Sequence, residues 1–253
     1  MNNKCLTIIL ILVAATLIPA HVSAGKNKTV FVLFDLSEST ARSSNRQEYL
    51  EAFMKIVDIR DVRTDLKESF IQPGDVLIAD IISDNSISGS TFPIIKEFRK
   101  FSVWKDNYLM YKKNFRLEKE EQVIKAEEIL FTSKRKIMFT DILSSLRIAE
   151  RVFKRFKREE NILVIFSDMK EESAEYNFAR ERLTDKRIEE IIGKERSRGL
   201  PDLKGVKVYV AGARADDRRH FQNIQRFWMS YFKACGAILE ERNYGRGFMG
   251  IND

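Results

Sequence analysis

Cysteine and histidine are scarce in this sequence, with two of each among 253 residues. Cys5 lies in an N-terminal segment that we expect to be removed, which leaves Cys235 without a partner and excludes an internal disulfide framework. Cys235 falls on the apolar stripe of a predicted C-terminal helix, and we therefore expect a buried, inert thiol. His220 remains after the same cut, but its spacing links it to no other candidate site residue. The sequence thus gives little support to a histidine-dependent enzyme.

Long apolar runs are also scarce, and the one at the N-terminus has the features of a secretory signal peptide. Lys4 supplies a positive charge, residues 6–20 are almost wholly apolar, and small residues precede a cut site after Ala24. The run is short for a membrane-spanning helix, which needs about 20 residues. We therefore predict a signal peptide over residues 1–24 and export to the periplasm or the cell exterior. An uncleaved N-terminal anchor is the alternative, and we expect the chain to contact a membrane only in that form.

The remaining composition suits one α/β domain of ordinary size, because 44% of the residues are hydrophobic. We assign this domain to residues 25–241 and a C-terminal tail to residues 242–253. The formal net charge is +7, from 44 basic and 37 acidic residues, and the isoelectric point is about 9.3. Such an excess favours acidic partners or surfaces without identifying one of them.

Basic and aromatic side chains alternate irregularly through residues 96–116. Stacking and phosphate contacts would suit nucleic-acid binding, and aromatic anchors would suit a membrane interface. A third interpretation is a partly helical cover whose aromatics enter the core while its lysines face water. Because no nucleic-acid-binding module accompanies the segment, we expect the third arrangement and no nucleic-acid partner.

Six segments are predicted strands, and helical patterns separate most of them. The first and fourth are wholly apolar before they end in polar residues, which is typical of strands covered on both faces of a parallel sheet. Strands two and three should form an antiparallel hairpin at a sheet edge, because residues 84–90 are turn-rich and Pro93 cannot donate to a ladder. The six predicted strands span residues 29–35, 75–82, 91–96, 161–167, 206–211 and 237–241.

This pattern predicts an α/β fold with a doubly wound, mostly parallel, Rossmann-like sheet of six strands and helices on both faces. The central strand should be the one that ends at Asp35, flanked by the second and fourth strands. In such a sheet, ligands bind beyond the carboxyl ends of the strands.

Polar side chains cluster at that predicted edge. Asp35, Ser37 and Ser39 follow the first strand, Asp168 follows the fourth, and Thr140 precedes a helix. Carboxylate and hydroxyl oxygens are ligands for a hard cation. The alternative is that the serines and Asp168 are turn residues and that Thr140 and its neighbour form a helix N-cap.

The joint pattern resembles the von Willebrand factor A domain family and its metal-ion-dependent adhesion site. The resemblance covers residues from about 28 to 241 and includes the order of strands and the antiparallel edge hairpin. It implies that Ser37 and Ser39 bind Mg²⁺ or Mn²⁺ directly and that Thr140 joins or leaves the metal with conformation. By the same resemblance, Asp35 and Asp168 act through water or by hydrogen bonding the hydroxyl ligands.

The sequence departs from this family at two places. Residues 136–139 precede Thr140 where many relatives have small residues or glycine, and Met169 follows Asp168 where glycine is common. These differences put the shape of the metal-binding loops, and therefore the metal affinity and ligand preference, in question.

A shell with few carboxylates leaves a divalent cation incompletely neutralised, so an Asp or Glu of a protein partner would complete it. The expected function is accordingly protein binding and not catalysis. Two alternatives remain at this stage. One is a metal-dependent phosphoesterase that attracts substrate with its positive surface, and the other is a structural exported domain whose site holds no ion.

Overall fold

The computed structural model describes residues 26–40, 42–59, 69–82, 92–132, 137, 139–248 and 250. The predicted signal peptide, the predicted turn at 84–90 and the start of the predicted third strand lie outside these residues. Within the described ranges, no helix combines the length and the apolar character needed to cross a membrane.

The described chain contains a six-stranded sheet with strand order β3-β2-β1-β4-β5-β6. All neighbouring strands run parallel except β2 and β3, which pair antiparallel at one edge. This order and this single antiparallel pair confirm the predicted doubly wound α/β fold, with β1 at the centre between β2 and β4. The strands are β1 (Lys28–Asp35), β2 (Val76–Ile82), β3 (Ile94–Glu97), β4 (Glu160–Phe166), β5 (Lys207–Ala211) and β6 (Ile238–Gly245).

Strand β1 is buried along its whole length. Successive side chains of a strand point to opposite faces, so each face of the sheet receives part of its apolar run. Phe31 and Leu33 enter one core cluster, while Val30, Val32 and Phe34 enter the other. A five-residue run without a polar side chain is therefore stable only with a layer of helices on each face.

Within the described residues, five helices supply those layers. On the face of Val30, α1 (Ser43–Val57) and α2 (Tyr108–Thr132) cover the sheet. On the face of Phe31, the cover consists of α3 (Ile142–Arg155), α4 (Asp185–Ser197) and α5 (Arg218–Ala234).

Side-chain caps fix the starts of the helices on the second face. The side chains of Asp141, Thr184 and Asp217 accept hydrogen bonds from backbone N–H groups of the first turns of α3, α4 and α5. Such caps satisfy donors that have no partner within the helix. The predicted helix start after Thr140 and Asp141 is confirmed.

The C-terminal end differs from the predicted tail over residues 242–253. Strand β6 continues to Gly245, because an irregularity in its pairing with β5 lets Tyr244 align with Val210 and bury its ring. Beyond the strand, Phe248 packs edge-on against Phe166 with ring centroids 6.2 Å apart. The last strand thus extends beyond its predicted end at residue 241, as far as Gly245.

Two further predictions concern individual side chains. Cys235 is buried at the end of α5, as expected, and burial raises the pKa of its thiol to about 12. Within the basic-aromatic segment, Phe98, Tyr111 and Phe115 enter the core as predicted, whereas Trp104 is exposed. The predicted inward cover is thus only part of what this segment forms.

Candidate metal centre

Asp35 is completely buried at the carboxyl end of the central strand, and both of its carboxylate oxygens are occupied. Oδ1 accepts a hydrogen bond of 2.9 Å from the backbone N–H of Ser37. Oδ2 accepts one of 2.7 Å from the hydroxyl of Ser167, which directly follows β4. Because β1 and β4 are parallel neighbours, their ends meet at one edge, and Asp35 joins the two connecting loops there.

The turn after Asp35 brings two serine hydroxyls together. Ser37 Oγ and Ser39 Oγ lie 3.1 Å apart, and Ser39 is exposed to solvent. Thr40 stabilises the turn. Its hydroxyl donates hydrogen bonds to the backbone oxygens of Asp35 at 2.8 Å and Ser37 at 3.0 Å. The Asp-x-Ser-x-Ser pattern therefore places two hydroxyl oxygens side by side in a hydrogen-bonded turn.

Asp168 joins the same cluster from the β4 side. Its carboxylate is hydrogen-bonded by Ser39 and accepts the backbone N–H of Lys170 at 3.1 Å. Burial, and after it the nearby Asp168 carboxylate, raise the pKa of Asp35 to about 6, against the lowering effect of its hydrogen bonds. Burial also raises the pKa of Asp168. Two acids that resist ionisation beside each other form a site that a cation would stabilise.

Met169, one of the two departures from the family pattern noted in the sequence, has a backbone conformation that glycine adopts easily. Its φ angle is +66°, in the left-handed region that L-residues rarely occupy. Its N–H donates to Ser167 Oγ at 2.9 Å, its carbonyl accepts the Trp228 indole N–H at 2.9 Å, and its side chain is buried. The loop backbone at Met169 thus has the conformation that glycine would adopt. Methionine differs from glycine in adding a buried side chain beneath the loop.

Thr140 is the candidate residue that the described hydrogen bonds do not connect to the other four. It is buried, and its carbonyl accepts the N–H of Glu172 at 2.9 Å in an isolated β-bridge. Buried Glu171 lies beneath this bridge, and its Oε2 accepts the N–H of Ile142 at 2.8 Å and that of Leu143 at 3.2 Å. Thr140 is therefore held at the start of α3, whereas Asp35, Ser37, Ser39 and Asp168 form one contiguous cluster.

Ser167, Lys170 and Tyr49 belong to the neighbourhood of the site but were absent from the predicted set. Ser167 could have been found, because it precedes Asp168 at the end of an apolar strand. Lys170 places its ammonium 4.0 Å from Asp168 Oδ2 and 3.8 Å from Asp216 Oδ1, a contact that depends on the loop path and leaves no sequence signal.

Tyr49 comes close from α1, where the sequence shows only a helical core position. Burial, together with the charges of Asp35 and Asp168, raises the pKa of its hydroxyl. Gly212 makes this approach possible, because a Cβ at that position would stand 2.6 Å from the Tyr49 hydroxyl.

The donor set fits a small hard cation. An octahedral ion with metal–oxygen bonds of about 2.1 Å places adjacent ligand oxygens about 3 Å apart, close to the 3.1 Å between the two serine hydroxyls. Among the described residues, no group of three or more His, Cys, Asp or Glu side chains is arranged to hold a metal. Any cation at this edge would therefore depend on hydroxyl oxygens and water as well as on the two carboxylates.

No protein-family model matches the sequence, and no curated protein matches it either. Among solved structures, proximal thread matrix protein 1 from the mussel byssus aligns with 87% of this chain and 44% of its own, at 14% identity and a TM-score of 0.41. The pilus adhesin SpaC from Lactobacillus rhamnosus GG in its open conformation aligns with 85% of this chain and 28% of its own, at 10% identity and a TM-score of 0.42.

A second structure of the mussel protein, with a zinc-occupied MIDAS motif, aligns with 79% of this chain and 39% of its own, at 16% identity and a TM-score of 0.36. The present chain thus corresponds to less than half the length of each of these proteins.

Proposed function

We propose that this chain is an exported binding domain of the von Willebrand factor A type that holds a divalent cation and binds a carboxylate of a protein partner. The residues proposed to hold the cation are Asp35, Ser37, Ser39, Thr140 and Asp168. Mg²⁺ and Mn²⁺ are the proposed ions, because carboxylate, hydroxyl and water oxygens suit hard cations. The observation that carries the proposal is the contiguous cluster of two buried carboxylates and two adjacent hydroxyls at the carboxyl edge of the sheet.

The two acids serve mainly to position the hydroxyl donors. Asp35 fixes the backbone of Ser37, and Asp168 is hydrogen-bonded to Ser39. Each serine oxygen is therefore held in place before a cation arrives, which lowers the ordering cost of binding. We propose that Thr140 binds the cation only in some conformations, because its described contacts hold it at the start of α3 and not against the other four residues.

Charge balance supports a carboxylate as the partner group. Asp168 already faces the Lys170 ammonium at 4.0 Å, so the two acids do not fully neutralise a divalent cation. When bound, the cation would offer a coordination position to an Asp or Glu side chain of the partner. Ser39 is exposed, and the approach to this position is therefore open to another protein.

Affinity capture from the cell envelope tests this function. The immobilised chain is exposed to an envelope extract with Mg²⁺ and then washed with or without a chelator. The matched pair is Ser39→Ala, which removes a proposed ligand, and Ser44→Ala, which removes an exposed serine on α1. We expect a set of proteins that the chelator releases, that Ser39→Ala fails to capture and that Ser44→Ala retains.

Capture that is insensitive both to the chelator and to Ser39→Ala would refute metal-dependent recognition. Circular dichroism of both variants controls for folding, because loss of an exposed hydroxyl should leave the apolar core intact.

A further inference from the structure

Val103 and Trp104 have the most exposed large apolar side chains of the described chain. They lie side by side in the turn between β3 and α2, with 79% and 95% of their surface accessible. Leu109, at the start of α2, is 75% exposed. We call residues 102–110 the aromatic tip. Isolated exposed apolar residues are ordinary, but adjacent ones together with an exposed Trp indicate an interaction surface.

The base of the tip is firmly held. The Arg99 guanidinium forms two hydrogen bonds of 2.8 Å with the Asp106 carboxylate, which also accepts the N–H of Ser102 at 2.7 Å. Phe101 turns inward and packs against Tyr111 with ring centroids 5.2 Å apart. The Arg99–Asp106 pair therefore fixes a loop in which Trp104 faces solvent, while Phe101 and Tyr111 pack toward the protein.

Positive charge surrounds the tip. Residues 99–116 contain six basic residues and a single acidic one, Asp106, which is paired with Arg99. Lys100, Lys105 and Lys113 are exposed, and none of the three forms an ion pair with any residue that the structure describes. The tip thus combines apolar side chains with cations that have no counter-charge of their own.

We propose that the aromatic tip docks this protein on an anionic phospholipid bilayer. Val103 and Trp104 enter the boundary between head groups and acyl chains, and the lysines contact lipid phosphates. Trp prefers this boundary, because its ring is apolar and its indole N–H is polar. A projecting apolar pair needs no shaped pocket in a fluid bilayer, and each basic residue near an anionic surface strengthens binding about five-fold.

The fold gives this docking a direction. Glu97, at the end of β3, aligns with Val76, which aligns with Thr29 at the beginning of β1. The loop that carries the tip therefore leaves the sheet at the amino edge, opposite to Asp35. An open cavity of about 790 Å³ at the same edge has a lining with a net positive charge, because its charged residues are Arg99, Lys100, Lys157 and Arg158 against Glu97 and Glu159. Bound to a bilayer by the tip, the protein presents its carboxyl edge away from the lipid.

Tryptophan fluorescence tests the proposal, because the two tryptophans report from different environments. Trp228 is fully buried with its indole N–H bonded to the Met169 carbonyl, so only Trp104 can respond to lipid. The full chain, in the form recovered from expressing cells, is titrated with vesicles of phosphatidylcholine alone or mixed with phosphatidylglycerol. We expect a blue shift of the emission, and quenching by brominated acyl chains, with the anionic vesicles only.

Charge reversals provide the matched comparison. Lys100→Glu with Lys105→Glu should raise the lipid concentration at half-maximal shift at least about tenfold. Lys186→Glu with Lys233→Glu changes the net charge equally at exposed sites on α4 and α5, and should leave that concentration within about twofold.

The proposal is overturned if both double variants lose binding equally, if phosphatidylcholine alone gives the same shift, or if no shift occurs. A blue shift that grows with protein concentration in the absence of vesicles would instead assign the tip to self-association.

Discussion

The Ser167 hydroxyl donates a 2.7 Å hydrogen bond to Oδ2 of Asp35 and so joins the ends of two neighbouring parallel strands. The other oxygen of Asp35 accepts the N–H of Ser37. Asp35 is therefore fixed from both sides, and its side chain links the β4 loop to the serine turn. This arrangement makes Asp35 a positioning residue for the hydroxyl pair as well as a source of negative charge.

Replacing Ser167 by alanine should weaken Mn²⁺ binding roughly tenfold, the effect typical of losing a partner that orients a metal ligand. In the wild type, the hydrogen bond from Ser167 stabilises the ionised carboxylate of Asp35 and lowers its pKa. Its removal should therefore raise the pKa of Asp35. Titration calorimetry measures the affinity. Ser69→Ala, at a buried serine that precedes β2, is the control and should bind Mn²⁺ as the wild type does. Equal loss in both variants would indicate a general effect of removing a buried hydroxyl.

The metal-free protein should lose stability as the pH rises from about 4 to about 6. Asp35 has a folded pKa of about 6 against an ordinary value of 3.8, so between these values the folded chain binds more protons than the unfolded chain. Stability then falls with rising pH by roughly 3 kcal/mol in total from this group, and is flat above the folded pKa.

Urea unfolding of wild type and Asp35→Asn across this range measures that contribution together with the change that the substitution causes at the interacting Asp168 carboxyl, because the remaining titrating groups are common to both proteins. Asp216→Asn, at an exposed acid, should follow the wild type. A constant difference between wild type and Asp35→Asn across the range would contradict the raised pKa.

Met169→Ala and Met169→Gly separate side-chain packing from backbone conformation. Both variants remove a buried side chain and should be less stable than the wild type, by about 2–5 kcal/mol for alanine. Glycine adopts the observed left-handed conformation without steric cost, whereas alanine does not, so Met169→Gly should be the more stable of the two by about 1 kcal/mol. Thermal and urea unfolding measure the order, and an advantage for alanine would contradict the assigned backbone conformation.

Lys170→Met should increase the affinity for Mn²⁺ about tenfold. The Lys170 ammonium lies 4.0 Å from Asp168 Oδ2, and a positive charge at that distance opposes an incoming cation. The increase should shrink at high salt, which screens the partly exposed lysine. Lys186→Met, on the first turn of α4, removes an equal charge far from the site and should have little effect. A weaker affinity in Lys170→Met would mean that the lysine supports the site.

The sequence predicts the sheet well because its strongest signal is local. A run such as residues 30–34 has no polar face, which requires burial on both sides and fixes β1 at the centre. The end of β6 was missed because its extension depends on a pairing irregularity opposite Val208 and Val210, which no local pattern specifies.

The site was predictable in part for the same reason. Asp35 and Asp168 each end an apolar strand, so topology alone brings them to one edge. The contact of Lys170 with Asp168 depends on the path of a loop, and the position of Thr140 depends on its bridge to Glu172. The exposure of Trp104 likewise follows from the Arg99–Asp106 brace, which spacing alone does not reveal.

Calorimetric titration of Mn²⁺ into the wild type, Asp35→Ala and Ser37→Ala, with circular dichroism to verify folding, tests the metal site most directly. We predict one binding event in the wild type and an affinity at least about tenfold lower in each variant, because one change removes the positioning acid and the other a hydroxyl ligand. Equal binding by all three folded proteins, or no binding by the wild type, would contradict the assignment of this cluster as a metal centre.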